Sequence, residues 1–125
     1  MERIETTILK NLIFNEDYSR KVLPFLKNEY FESYHEKVVF EEIAKFIIEY
    51  GNLPSKEAIV IESEKRTDIS DEGFKDISTL VTDLNEEKSD LQWLFDTTEK
   101  WCRYRAIYLA LVESISIAYG KSEKK

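Results

Sequence analysis

Apolar residues return at three- and four-residue steps along most of the chain, the spacing that gathers them on one face of an α-helix. Ile4, Ile8 and Leu12, joined by Leu9 and Ile13, outline a first helix. Asn15 followed by Glu16 and Asp17 predicts a capped second helix with acids in its first turn, where the helix dipole favours negative charge. Tyr18, Val22, Phe25 and Leu26 would line it. Pro24 should kink or end it near Leu23, because proline brings no N–H to the helical ladder. Asn28 to Phe31 reads as a connection. Ser33 and Glu36 have capping-box spacing, so a third helix should open there and run to Tyr50. Its stripe is Val39, Ile43, Phe46, Ile47 and Tyr50, and Gly51 suits the left-handed residue that ends helices.

Ser55 predicts the cap of a fourth helix through about Ser63, and the polar stretch from Glu64 to Ser70 predicts a loop. Phe74, Ile77, Val81 and Leu84 share one face of a fifth helix, with Asp71 and Glu72 in its first turn. Asn85 to Lys88 breaks the pattern. Ser89 with Gln92 makes a second capping box, opening a long last helix that runs to about Tyr119 and stops at Gly120. No stretch alternates as a strand would. The expected fold is all-α, a compact orthogonal bundle of about six helices with a long, partly projecting C-terminal helix. Residues 1–88 would form the globular bundle, 89–120 the long helix, and 121–125 a disordered tail.

That last helix is apolar on two sides. One stripe carries Leu91, Leu94, Phe95, Trp101, Cys102, Tyr108, Leu109 and Val112. A second carries Trp93, Tyr104, Ile107, Leu111, Ile115 and Ala118. A surface helix needs one apolar face, so two imply burial on two sides. At roughly 1.5 Å per residue the rod would be about 45 Å long, more than a compact domain of this size can cover. Exposed apolar surface of that kind marks a protein contact. The candidate interface residues are therefore Trp93, Trp101, Tyr104, Ile107, Tyr108, Leu111 and Ile115.

Composition narrows the function classes. At 125 residues and 42% hydrophobic the chain is one domain with a real core, and three Gly and two Pro disfavour folds built on tight hairpins. Eighteen basic against 25 acidic residues leave a net charge of −7, which disfavours a broad grip on a phosphate backbone. Lys100, Arg103 and Arg105 form the one basic group that could meet an acidic neighbour or a nucleic-acid strand. One Cys and one His build neither an internal disulfide nor a His/Cys metal cage. No apolar run is long enough to span a membrane, so the expected location is the cytoplasm.

Catalytic chemistry finds no foothold. Gly120-Lys121-Ser122 ends like a phosphate-binding loop, but Ile115 stands where its partner glycine is needed. His35, near Glu32 and Glu36, reads as a surface residue, and Cys102 in an apolar helix as a packing residue. The carboxylates Glu62/Glu64, Asp68/Asp71/Glu72 and Glu86/Glu87/Asp90 suit a solvated face or helix starts, or a docking surface for a basic partner.

Several segments together resemble a known family. Ile8-Leu9-Lys10-Asn11-Leu12-Ile13-Phe14, Asn28-Glu29-Tyr30-Phe31-Glu32-Ser33, Val39-Phe40 through Tyr50-Gly51, Leu53-Pro54-Ser55, and Thr98-Glu99-Lys100-Trp101 with Arg105-Ala106 fall in an order similar to the N-terminal domain of DnaB-type replicative hexameric helicases, most closely the version of tailed phages. The resemblance implies a scaffold and docking module, its last helix the first arm of a helical hairpin. It implies self-association, as a dimer or higher and a hexamer in the parent, with primase and in some systems a loader as partners. The family's second hairpin arm, linker and ATPase motor are not in this sequence, so ATP and Mg would belong to a motor elsewhere, and the segment itself needs no cofactor. The competing expectation is a free-standing acidic helical adaptor or inhibitor of a basic protein.

Overall fold

A computed structural model describes residues 2–87 and 89–119 as six α-helices and two 3-10 turns, with no strand among the described residues. The helices are α1 (Ile4–Phe14), α2 (Glu16–Val22), α3 (Tyr34–Tyr50), α4 (Lys56–Glu64), α5 (Asp71–Asp83) and α6 (Leu91–Ala118). The fold is all-α. The expected stop at Gly120 and the tail beyond it lie outside the described residues.

Helix boundaries follow local capping. The side chains of Asn15, Ser33 and Ser55 accept hydrogen bonds from the backbone N–H groups of Tyr18, Glu36 and Ala58, each satisfying a donor that the helix start leaves unpaired. Gly51, at φ +73°, ends α3 in the left-handed region with its N–H on the Ile47 carbonyl. At the start of α6 the cap is Asp90 instead of Ser89. Its carboxylate accepts from the Trp93 N–H at 2.9 Å, while Gln92 donates to Asp96 on its own helix. Asp and Ser cap about equally well, and the carboxylate adds the attraction of the helix dipole.

Two apolar side chains leave the expected core. After Val22 the backbone tightens into a 3-10 turn, Leu23–Phe25, around Pro24. Fewer residues per turn shift the phase, so Leu26 points inward and Phe25 stands 71% exposed. Tyr50 lies on the last turn of α3, which runs past the core, and its exposed ring packs on Phe46 of the same helix at 4.7 Å.

α3 is the central element and packs against α1, α4 and α5. The core gathers Ile8, Leu9 and Leu12 from α1, Val39 and Ile43 from α3, Ile59 from α4, and Ile77 and Val81 from α5. Buried charges tie the shell together. Arg66, in the stretch expected to be a featureless loop, donates to Glu42 and Asp68 at 2.8 Å and to Glu41 at 3.1 Å, fastening that loop to α3. Lys10, on the buried side of α1, pairs with Glu2 and Glu87 and so holds the connection into α6.

Candidate protein-interaction surface

The first half of α6 is part of the core. It rests on α2 and on the 3-10 turn Asn28–Tyr30. Leu94 is 1% exposed, and the Tyr18 hydroxyl and Thr98 Oγ1 share a buried hydrogen bond of 2.6 Å. Tyr18 stacks on Phe95 at 6.1 Å between centroids, and its burial pushes the phenol up, away from ionisation. Trp101 meets Phe31 at 5.0 Å and the edge of Tyr30 at 6.0 Å, and its indole N–H donates to Glu5 at 3.4 Å.

Trp101 therefore leaves the set of interface candidates. It is 7% exposed, because Tyr30 and Phe31, two residues in an expected connection, form an aromatic wall opposite it. The basic group dissolves as well. The Arg105 Nε–H donates to the Tyr30 carbonyl at 2.6 Å, buried, with its guanidinium 4.9 Å from the Tyr108 ring centroid. Arg103 pairs with Glu99 one turn away at 2.6 Å. Of the three cations, only Lys100 has neither a buried anchor nor an ion pair among the described residues.

Past Arg105 no residue of α6 is buried. Leu109 is the last to pack against the core, and Glu113 is the sole charged residue between Ala106 and Tyr119. On a helix of 3.6 residues per turn, Trp93, Tyr104, Ile107, Leu111 and Ile115 fall within about 80° of arc. All five are exposed, Leu111 to 57%, with Tyr108 at the edge of the strip, stacked on Tyr104 at 6.3 Å. Five of the seven predicted interface residues, from Tyr104 to Ile115, thus form one apolar seam along the free half of the rod, and Trp93 shares its side of the helix three turns earlier, with Thr97 and Lys100 between.

The Cys102 thiol is half-buried, and burial pushes its pKa up to about 11, so it stays protonated near neutral pH. Among the described residues, no three His, Cys, Asp or Glu side chains converge to hold a metal ion, and His35 Nε2 lies 3.6 Å from Asp76 on the surface. No helix among them is long and apolar enough to cross a membrane. Sequence reasoning missed the exposed Phe25, for which the preceding Pro24 was a usable signal, and Ile117 and Tyr119 at the rod's end.

No family model matches the chain. Over 110 residues, 88% of its length, it is 34% identical to the DnaB-like replicative helicase of Enterobacteria phage T4. The chain is a relative of that DnaB-like helicase. It spans only 23% of the helicase's own length, so the likeness covers one portion of a much larger protein. The family resemblance read from five short segments is thereby backed by identity along nearly the whole chain.

Proposed function

We propose that this chain acts as the N-terminal scaffold of a replicative DNA helicase, where it joins subunits and docks primase or a loader in the cytoplasm. The observation that carries this is the seam from Tyr104 to Ile115, an apolar strip that the other described residues leave open. Burying a large apolar side chain stabilises by roughly 1.5–3 kcal/mol, so five or six together favour pairing with a second helix over exposure to water. The similarity to a DnaB-like helicase supports a self-assembled setting. The anchoring of Arg105 and the pairing of Arg103 leave little free positive charge, which favours a protein neighbour over nucleic acid. Nucleotide chemistry belongs elsewhere under this proposal. Gly51 ends α3 and Gly73 sits in the first turn of α5, so neither lies in a phosphate-cradling loop.

Sedimentation equilibrium at micromolar concentration tests the assembly, and co-purification with the primase of the same replication system tests the docking. The expected result is a dimer or larger species that Leu111→Glu converts to a folded monomer, together with retention of primase. A native chain that stays monomeric and retains neither primase nor a helicase motor contradicts the proposal.

A further inference from the structure

The seam does not exhaust the free end of α6. Glu113 and Ile117 lie roughly opposite it on the helix circumference, beyond the core contact of Leu109, so one partner packed on the seam leaves them facing outward. Ile117 is exposed and apolar, and Glu113 is the only charge there. Elsewhere on the molecule a cavity of about 460 Å³ opens between the 3-10 turn at Leu23–Phe25 and the middle of α6. Its walls are Phe25, Phe95, Cys102 and Ala106, with Lys21 and Arg103 at the rim. Arg103 is engaged with Glu99, whereas Lys21 makes no ion pair among the described residues and lies over the Phe95 ring at 4.7 Å. The groove is thus apolar with one unspent positive charge, and the far face of the rod is apolar with one negative charge. The two complement each other but cannot meet within one molecule, since the groove sits beside the first half of the same straight helix.

We infer that this groove receives the Glu113–Ile117 face of a second copy of the chain, with the second copy's Glu113 meeting Lys21 at the rim. The inference rests on the proposal that the free end of α6 is held by protein, and it adds a contact of a different kind. Groove and face lie on the same side of α6, so the contact is either made twice around a two-fold axis or repeated head to tail. The seam, by contrast, can pair with itself. Together the two contacts carry assembly beyond a dimer.

Cys102 lines the groove and is the chain's single cysteine, which makes the contact directly readable. The native protein, at a pH where its Cys102 is first shown to react with a small disulfide reagent, is mixed with a Cys102→Ser/Ile117→Cys variant and oxidised gently. The expected product is a mixed disulfide dimer that neither protein forms alone. Lys21→Glu on the native partner should cut its yield several-fold, and adding Glu113→Lys to the other partner should restore it. A Cys102→Ser/Ile107→Cys variant reports the seam separately by self-linking. If position 107 self-links while the 102–117 product is absent, the groove contact is wrong and the seam stands. If the 102–117 product forms without the seam link, the groove contact stands and the seam pairing falls. Absence of both removes both. Self-linking through position 117 alone means that the far faces pair with each other, and it overturns the groove contact. A groove filled by another protein also leaves the mixture unlinked and overturns it.

Discussion

Between Leu91 and Arg105, α6 buries Leu94, Thr98, Trp101 and Arg105 against α2 and the Asn28–Tyr30 turn; between Ala106 and Ala118 it buries nothing. The side chains do not explain the contrast, because the second half is at least as apolar as the first, with Ile107, Leu109, Leu111, Val112, Ile115 and Ile117 against one charge. What differs is the presence of something opposite. The first half meets Tyr18, Tyr30 and Phe31, and among the described residues the second half packs on the core only as far as Leu109. Stability and assembly are therefore divided along a single helix, so substitutions in its two halves should register in different experiments.

The largest expected effect is at Trp101. Trp101→Ala leaves a cavity beside Tyr30 and Phe31 and should destabilise the monomer by about 3–5 kcal/mol in chemical denaturation. Leu111→Ala should stay within about 0.5 kcal/mol in the dilute monomer while weakening self-association. If Leu111→Ala unfolded the monomer as readily, the division of the helix would fail. Arg105→Ala comes next, at about 1–3 kcal/mol, because the buried Tyr30 carbonyl loses its donor.

A pH effect sharpens the contrast from the anchored side. Burial holds the Glu36 carboxyl above the usual 4.5, against the opposing pull of Arg3. Arg3 also pairs with Glu5, which accepts from Trp101, so this cluster lies under the anchored half. A raised pKa means that the folded state holds the proton more tightly. The resulting stabilisation is complete below pH 4.5 and is lost as pH rises through the raised value. Relative to native protein, Glu36→Gln should therefore gain stability as pH climbs from 4.5 toward neutral in a denaturation series. The smallest effect belongs to Arg103→Ala, which removes an exposed ion pair and should change stability by no more than about 0.5 kcal/mol.

These positions also show which parts of the molecule are legible in sequence. Asn15, Ser33, Ser55 and Gly51 act within three or four residues of themselves, so their spacing alone placed four helix ends. The apolar periods placed the stripes. Partners distant in sequence were hidden: Arg66 reaches Glu41 and Glu42 from a stretch with no periodicity, and Arg105 finds a carbonyl 75 residues away. The same limit explains Trp101. Both stripes of α6 look alike in sequence, and only the fold of Tyr30 and Phe31 decides which is roofed. Phe25 was misplaced because a 3-10 turn changes the angular step from which the stripe was read.

Amide hydrogen exchange along α6, followed at low and high protein concentration, tests the division of this helix most directly. Leu91 to Arg105 should be equally protected at both concentrations, with Ala106 to Ala118 exchanging quickly when dilute and slowing markedly when concentrated. Uniform protection of the whole helix in dilute solution, or a second half that stays fast however concentrated the protein becomes, would contradict the account.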